Sequence, residues 1–342
     1  MNEERRLVGC FKQVFPQLPE AEIRESTMKR LGAWDSAALL TLLARVEKEF
    51  SVRFDLEQVN TFTSFAAILN AVQPMQSQTP SPHPPRVSWP VLSDNPWISS
   101  YQPVPDAKVR LLCFPHAGSS AAAYGLWPAK LPRDVEVCPI EYPGRGSRRS
   151  ERPFVRVHAL VAGLLAGIAP MLTTPFGVFG HSMGALIAFE FVRQLYRHGM
   201  SKPVGLFVAG CRAPSTPHRK APVYALPDED LIRELQLLNG TPDDLLTNPG
   251  FMRLFLPTLR ADFELADTYS YRAGAKPDCP IVAYGGSDDT ETLPDELGGW
   301  ALETGASFVV RMYPGDHFFL ETAESSVLRD LAADLLGAPY AD

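Results

Sequence analysis

The sequence predicts an α/β protein, in which a mostly parallel sheet is covered by helices on both faces and is preceded by a small all-α module of four helices. Three observations predict it: helical spacing of apolar residues near the start, a proline-rich stretch after them, and short apolar strands that alternate with helical segments behind that stretch. The predicted strands are residues 109–114, 135–142, 176–180, 204–210, 279–285 and 307–313.

The all-α module is predicted for residues 1–73, where apolar residues recur at helical spacing, as in "SAALLTLLARVEKEF" and "TSFAAILNAV". A segment of this length cannot build a large core, so we expect a compact bundle. Residues 74–99 are predicted to be a linker, because residues 74–90 contain six prolines separated by polar residues. Residues 100–342 then form the α/β domain.

Composition argues against several classes of protein. The 342 residues carry a formal net charge of −7, which argues against binding to nucleic acid or to a membrane surface. The amino terminus lacks the basic and then apolar stretch of a signal peptide, and the most apolar run, residues 160–172, is too short to span a bilayer. The five cysteines form no CxxC pair, so we expect free thiols in the cytoplasm and no metal site.

The stretch "VFGHSMGA", residues 178–185, places Ser182 between Gly180 and Gly184, after an apolar strand and before a helical pattern. A serine on such a strand-turn-helix elbow is exposed at the rim of the sheet, and the start of the helix directs unpaired N–H groups towards it. The pattern predicts that Ser182 is a nucleophile. The alternative is a serine that merely occupies a turn.

A serine hydroxyl needs a base, and His317 is the predicted one. It follows the last predicted strand and a Pro-Gly turn, which places it at the carboxyl end of a strand, where open α/β sheets carry their chemistry. Other histidines lie in proline-rich, helical or loop segments, or inside the elbow itself: His83, His158, His181, His198 and His218.

The acid that orients the base is predicted after the strand at residues 279–285, where Asp288 and Asp289 follow two glycines. The chain order is then Ser, Asp, His, which is the order found in α/β-hydrolases. We prefer Asp289 because it lies further around the turn, whereas Asp288 suits capping or solvation. Asp316 is a weaker rival, because adjacent side chains rarely turn towards each other.

Two backbone N–H groups are predicted to face the carbonyl oxygen of a substrate. One belongs to Met183, directly after the nucleophile, and the other to Ala117, in the loop after the first predicted strand. The motif alone is also compatible with a simple glycine turn.

The interval of about 213–275 has helical patterns but no strand signal, and it separates the strand that ends near Gly210 from the strand that leads to Asp289. An insertion at this point would cover the site, so we predict a lid, and one interpretation of its apolar residues is that they admit an acyl chain. The alternative is that its apolar residues simply pack on the body of the domain.

In the all-α module, the front module of the chain (residues 1–73), Ser36 begins a predicted helix. From the residues alone it is an N-cap or first-turn serine. The stretch "LGAWDSAALLTLLARVEKEFSVRF" nevertheless resembles acyl and peptidyl carrier proteins, and the resemblance covers essentially residues 1–73. It implies that Ser36 carries a 4′-phosphopantetheine arm attached by a phosphopantetheinyl transferase. Carriers usually have a large apolar residue after this serine, whereas this chain has Ala37.

The α/β domain, residues 100–342, resembles the type II thioesterases of nonribosomal peptide and polyketide assembly lines over nearly its full length. The resemblance is carried by "CFPHAG", "YPGRGSR", "FGHSMGA", "LPTLRADF", "GGSDD" and "PGDHFFL", in that order. It implies an α/β-hydrolase fold, a triad of Ser182, Asp289 and His317, and oxyanion donors at Ala117 and Met183. The family often has a glycine where this chain has Ser119, and Arg145 is expected to be structural.

The predicted function is hydrolysis of acyl or aminoacyl thioesters from a phosphopantetheine arm, delivered in cis from Ser36 across the linker, for product release or editing in natural-product biosynthesis. The partners implied are upstream adenylation, acyl-loading or synthase proteins. Two alternatives remain open. Ser182 passes its acyl group to an amine or alcohol, as in an acyltransferase or cyclase, or the chain is a carrier and docking module with incidental hydrolase activity.

Overall fold

The computed structural model describes two units, Met1–Val87 and Ser88–Asp342, and each is treated by itself. The described residues are 3–15, 18–24, 26, 42, 45, 46, 49, 50, 64–72, 95–99, 101–104, 106–217, 219–241 and 243–337. Ser36, predicted to carry phosphopantetheine, lies outside the described residues. Most of the predicted linker lies outside them as well.

Three helices of the first unit have bounds within its described residues, namely α1 (Glu3–Val14), α2 (Glu20–Ile23) and α3 (Phe65–Val72), and the described residues among 42–50 are helical too. One face of α1 is apolar, because Leu7 and Phe11 are one helical turn apart, and both side chains are fully buried. The ring of Phe11 lies 5.2 Å from the ring of Phe65, measured between centroids. These contacts form a small apolar core, and the four-helix carrier arrangement stays a prediction.

The second unit is built on a six-stranded sheet whose neighbouring strands are all parallel, in the order β2-β1-β3-β4-β5-β6. The strands are β1 (Val109–Phe114), β2 (Val135–Pro139), β3 (Phe176–His181), β4 (Leu206–Ala209), β5 (Ile281–Gly286) and β6 (Phe308–Tyr313). Every residue of β1 to β5 is buried, as expected for parallel strands covered on both faces. The predicted parallel sheet is therefore confirmed.

Helices cover both faces of this sheet. They are α4 (Trp127–Lys130), α5 (Val157–Ile168), α6 (Met183–Arg197), α7 (Asp228–Leu238), α8 (Asp243–Leu246), α9 (Pro249–Asp267), α10 (Pro294–Gly298), α11 (Phe319–Thr322) and α12 (Glu324–Leu336). Short 3₁₀ helices occupy Ala121–Tyr124, Gly146–Arg148, Ala169–Met171 and Gly299–Glu303. None of the described helices is long and apolar enough to cross a membrane.

The core is divided by the sheet because successive strand residues point to opposite faces. Val178 of β3 packs in one apolar cluster with α5 and α6, and its neighbour Phe179 packs in another with α12. The burial of both clusters fixes the register of the strands, and so the places where their carboxyl ends stop.

The predicted lid interval contains α7, α8 and α9, and its described residues include no strand. These helices have an apolar cluster of their own, centred on Leu231, Leu235 and Leu256. The partly buried side chain of Ala117, in the loop after β1, packs against this cluster. The interval therefore lies over the carboxyl end of β1.

Candidate active site

Ser182 occupies the turn between β3 and α6 in a conformation that side chains rarely adopt, with φ 53° and ψ −120°. Its own N–H donates to the carbonyl oxygen of Ala209 at 2.8 Å, which ties the turn to β4. A Cβ atom on Gly184 would overlap the backbone carbonyls of Phe114 and Pro115. The turn is thus so closely packed that the strained serine is held in place by its surroundings.

The side chain of His317 lies between those of Ser182 and Asp289. Its Nε2 is 3.0 Å from Ser182 Oγ, and its Nδ1 is 3.0 Å from Asp289 Oδ2. His317 is 8% exposed and Asp289 is 5% exposed, so both contacts are largely shielded from water. The structure therefore brings together three residues that the sequence analysis selected from separate segments.

Of the three candidate carboxylates, Asp289 is the one that meets His317. Its second oxygen, Oδ1, accepts the N–H groups of Glu291 at 2.8 Å and Thr292 at 3.1 Å, which fixes the orientation of the carboxylate. Asp288 is exposed. The carboxylate of Asp316 turns away and accepts from the Phe318 N–H and the Asn239 amide.

Ala117 and Met183, the predicted oxyanion donors, line the same cavity as Ser182. Met183 is the first residue of α6, so its N–H has no partner within the helix. Among the described residues, neither N–H has a hydrogen-bond acceptor. Both groups are free to donate to an oxygen near Ser182, and their role as an oxyanion hole stays a prediction.

Two further histidines, which the sequence patterns did not indicate as site residues, lie beside the site. His181 Nε2 is 2.9 Å from the main-chain oxygen of His317, and the His116 ring lies 5.2 Å from the His181 ring. Burial lowers the pKa of His181 well below its usual value and the pKa of His116 to about 4. Both rings are therefore neutral at pH 7. The usable signal was that His116 follows β1 and His181 ends β3, its neighbour.

The cavity in front of Ser182 has a volume of about 750 Å³. Its wall is mainly apolar, with contributions from Leu186 of α6, Leu235 of α7, and Phe255 and Phe263 of α9. Charged side chains at its rim form ion pairs between Lys130 and Glu324 and between Lys220 and Glu291. An apolar interior beside a nucleophile suits an acyl group.

Within the described part of the chain, no cluster of three His, Cys, Asp or Glu side chains is placed to hold a metal ion. The arrangement offers a hydroxyl, that of Ser182, in contact with an imidazole nitrogen of His317 that can accept its proton. A carboxylate holds the opposite nitrogen as a donor. This set of groups can carry out nucleophilic displacement at an acyl carbon.

Comparison with known proteins places these features in a family. The family described as "Thioesterase domain" matches residues 109–335. Gramicidin S biosynthesis protein GrsT of Aneurinibacillus migulanus is 39% identical over 241 residues, which cover 70% of this chain and 94% of that protein. Thioesterase PikA5 of Streptomyces venezuelae is 38% identical over 251 residues, covering 72% of this chain and 88% of that protein.

A solved structure agrees with these sequence relationships. The type II thioesterase BorB from the borrelidin biosynthetic cluster superposes with a TM-score of 0.65 at 36% identity, covering 70% of this chain and 97% of that one. The similarity covers the α/β unit, and it supports the α/β-hydrolase fold of a thioesterase for that unit.

Proposed function

This chain belongs to the thioesterase family and is a thioester hydrolase, and from that premise we propose that Ser182, His317 and Asp289 remove acyl or aminoacyl groups from carrier-bound thioesters. Of the relatives named above, one is a gramicidin S biosynthesis protein and another is a type II thioesterase from the borrelidin biosynthetic cluster. The proposed role is product release or editing in such a pathway.

The proposed acylation step begins with attack of Ser182 Oγ on the thioester carbonyl carbon, while its proton passes to Nε2 of His317. The negative charge that develops on the carbonyl oxygen is held by the N–H groups of Ala117 and Met183. When the C–S bond breaks, the departing sulfur takes the proton from His317. Asp289 keeps the imidazole oriented throughout and stabilises its charged form.

The deacylation step repeats this sequence with water. His317 Nε2 accepts a proton from the water molecule, and the oxygen of that water bonds to the acyl carbon. The bond to Ser182 Oγ then breaks, and Ser182 recovers its proton from His317. The products are the free acid and the unchanged enzyme, so no other reactant is needed.

The observation that carries this proposal is the hydrogen-bonded chain from Asp289 through His317 to Ser182, with both contacts at 3.0 Å, on the wall of an apolar cavity. A histidine that happened to pack near a serine would not be held on its other nitrogen by a carboxylate fixed in turn by two N–H groups. These hydrogen bonds have the order and geometry of a serine nucleophile whose histidine base is oriented by a carboxylate.

The test is turnover of S-acyl-pantetheine substrates by the wild-type chain and by Ser182→Ala, with intact-protein mass spectrometry during the reaction. We expect free acid and a transient acyl adduct with the wild type, and neither with Ser182→Ala. Hydrolysis by Ser182→Ala at the wild-type rate would refute the mechanism. Product that appears only after an amine or alcohol is added would favour the acyltransferase alternative.

The proposal extends to the front module, where Ser36 would carry a 4′-phosphopantetheine arm and deliver the acyl group in cis. Support comes from the carrier-like sequence around Ser36 and from the linker at residues 74–99, which at roughly 3.1 Å per residue can span a large distance. The test is modification by a phosphopantetheinyl transferase with an acyl-coenzyme A, comparing wild type with Ser36→Ala.

Two results distinguish cis from trans delivery. If delivery is in cis, unloading of the acylated chain proceeds at a rate independent of protein concentration. In a mixture of acylated Ser182→Ala with unacylated Ser36→Ala, unloading must be intermolecular, so it should be slow. Equal rates in the two experiments would contradict delivery in cis, and absence of any modification on the wild-type chain would contradict the assignment of Ser36.

A further inference from the structure

A buried ion pair lies directly behind the loop that carries Ala117. Arg145, in the turn after β2, donates from Nη1 to Asp262 Oδ2 at 2.7 Å and from Nη2 to Asp262 Oδ1 at 2.5 Å. Asp262 belongs to α9, and the two side chains are 8% and 2% exposed. The pair therefore joins the lid helix to the body of the domain with a bidentate geometry.

The same two side chains also bind consecutive backbone groups of the Ala117 loop. The N–H of Gly118 donates to Asp262 Oδ2 at 2.8 Å, and Arg145 Nη1 donates to the carbonyl oxygen of Ser119 at 3.1 Å. The Gly118 N–H belongs to the peptide unit that starts at Ala117. Its hydrogen bond to Asp262 therefore fixes the plane next to the predicted oxyanion donor.

Apolar contacts press the loop against the same helix. Gly118 has a positive φ of 75°, and a Cβ atom there would lie 2.8 Å from the Phe255 ring and 2.9 Å from Leu259. One helical turn before Asp262 on the same helix, the hydroxyl of Thr258 donates to the carbonyl oxygen of Gly144 at 3.1 Å. Helix α9 is thus fixed to the loop on one side and to the turn that carries Arg145 on the other.

We propose that Arg145 and Asp262 are positioning residues that aim the Ala117 N–H at the oxyanion, so that the lid helix α9 is a fixed part of the catalytic site. The inference rests on the proposed function, in which Ala117 is an oxyanion donor. An ion pair that served stability alone would be poorly built here, because desolvation of two charges offsets much of their attraction. Moreover, the buried Arg145 Nε has no partner among the described residues.

The principal variant is the double substitution Arg145→Met with Asp262→Leu, which replaces both charges by apolar side chains and leaves no unpaired charge. Such replacements often preserve stability. The Gly118 N–H then loses its acceptor. We expect kcat to fall by about 10²–10³, the loss typical of one oxyanion donor, while KM and the Kd of a non-hydrolysable thioether analogue change by less than about threefold.

The companion variant is Asp262→Asn, which keeps an oxygen for the Gly118 N–H but leaves Arg145 without a counter-charge. It should have a lower Tm than the double variant and yet a higher kcat. A purely structural role predicts the opposite, namely that activity follows Tm. Equal kcat for the double variant and the wild type, or an order of kcat that follows the order of Tm, would overturn the proposal.

The matched control is Glu136→Gln, which removes the negative charge from the equally buried pair that Glu136 forms with Arg110 at 2.6 Å between β2 and β1. It should lower Tm without lowering kcat. If the double variant does not fold, Asp262→Ala takes its place, because it removes the acceptor of the Gly118 N–H and should reduce kcat, whereas Glu136→Gln should not. An equal kcat in these two variants counts against positioning.

Measurement of the rate of the acylation step distinguishes a failure of this inference from a failure of the proposed function. In each variant, the rate at which Ser182 gains the acyl group is measured by intact-protein mass spectrometry. Slow acylation of the double variant beside rapid acylation of the wild type supports positioning. Rapid acylation in both overturns positioning alone, whereas full hydrolysis by Ser182→Ala overturns the proposed function itself.

Discussion

His181 Nε2 lies 2.9 Å from the main-chain oxygen of His317. His181 directly precedes Ser182, the proposed nucleophile, and this contact holds the backbone of His317, whose side chain faces Ser182. Because a carbonyl oxygen only accepts, Nε2 of His181 carries the proton and donates it. Burial lowers the pKa of His181 well below its usual value, so the ring donates in its neutral form. The contact joins the end of β3 to the loop after β6.

Replacement of His181 should therefore affect catalysis through the placement of His317. In His181→Phe the ring is kept but the donor is lost, which leaves the His317 carbonyl without this partner. We expect kcat to fall by about 10- to 100-fold with little change in KM, since small misplacement of a reacting group is costly. His181→Gln, whose amide can still donate, should stay within about threefold of the wild type. Steady-state kinetics of both variants on one S-acyl-pantetheine test this, and equal loss in the two would contradict it.

Much of the fold follows from local sequence because the sheet is parallel and buried. Its strands are short apolar runs whose limits are set by neighbouring turns, so the residues after each strand can be placed at one edge of the sheet. Ser182, Asp289 and His317 each follow a strand in this way, and the structure brings them together. The strand predicted at 135–142 is shorter in the structure, because β2 ends at Pro139 and the next residue, Ile140, forms an isolated antiparallel bridge with Ile98.

The contacts made between distant segments could not be predicted in this way. Arg145 and Asp262 are 117 positions apart, and nothing local indicates that an arginine in a turn meets an aspartate on helix α9. His181 lies inside the elbow, and its partner, the carbonyl oxygen of His317, is 136 positions away. Such pairs depend on how the elements pack, which periodicity does not encode.

The orienting role proposed for the Asp289 carboxylate gives a second prediction. In Asp289→Asn the side chain keeps its shape but no longer holds Nδ1 of His317 as a donor, so the ring can take the wrong tautomer. We expect kcat to fall by about 10²–10⁴, with KM nearly unchanged. Asp288→Asn is the matched control, because Asp288 is adjacent and exposed. It should keep kcat within about twofold of the wild type. A larger loss in Asp288→Asn than in Asp289→Asn would reverse the assignment.

A third prediction concerns the packing of the nucleophile turn. In Gly184→Ala the added Cβ atom would overlap the backbone of Phe114 and Pro115, which cannot move without displacing β1. We expect a loss of about 3 kcal/mol or more in the free energy of unfolding, together with loss of activity. Gly298→Ala, at the exposed end of α10 with no atom within 4 Å of its added Cβ, is the control and should leave stability unchanged or slightly raised. Thermal unfolding of both variants measures the difference, and comparable Tm values would contradict the overlap.

The last prediction is the effect of acid on stability through His116. Burial lowers the pKa of His116 to about 4, and the two nearby charges, Asp262 and Arg145, act in opposite directions. In the unfolded chain His116 therefore binds a proton at about pH 6.5, whereas in the folded chain it stays neutral until the pH is near 4. The free energy of unfolding thus decreases as the pH falls from about 6.5 towards 4. Since the ring is only partly covered, its contribution between pH 7 and pH 5 is at most about 2 kcal/mol.

His116→Gln removes this titration, so the stability of the variant relative to the wild type should improve as the pH is lowered. Urea unfolding at pH 7 and pH 5, followed by tryptophan fluorescence, measures that change, with the exposed His198→Gln as control. A stability difference between wild type and His116→Gln that is the same at both pH values would show that His116 titrates normally in the folded protein.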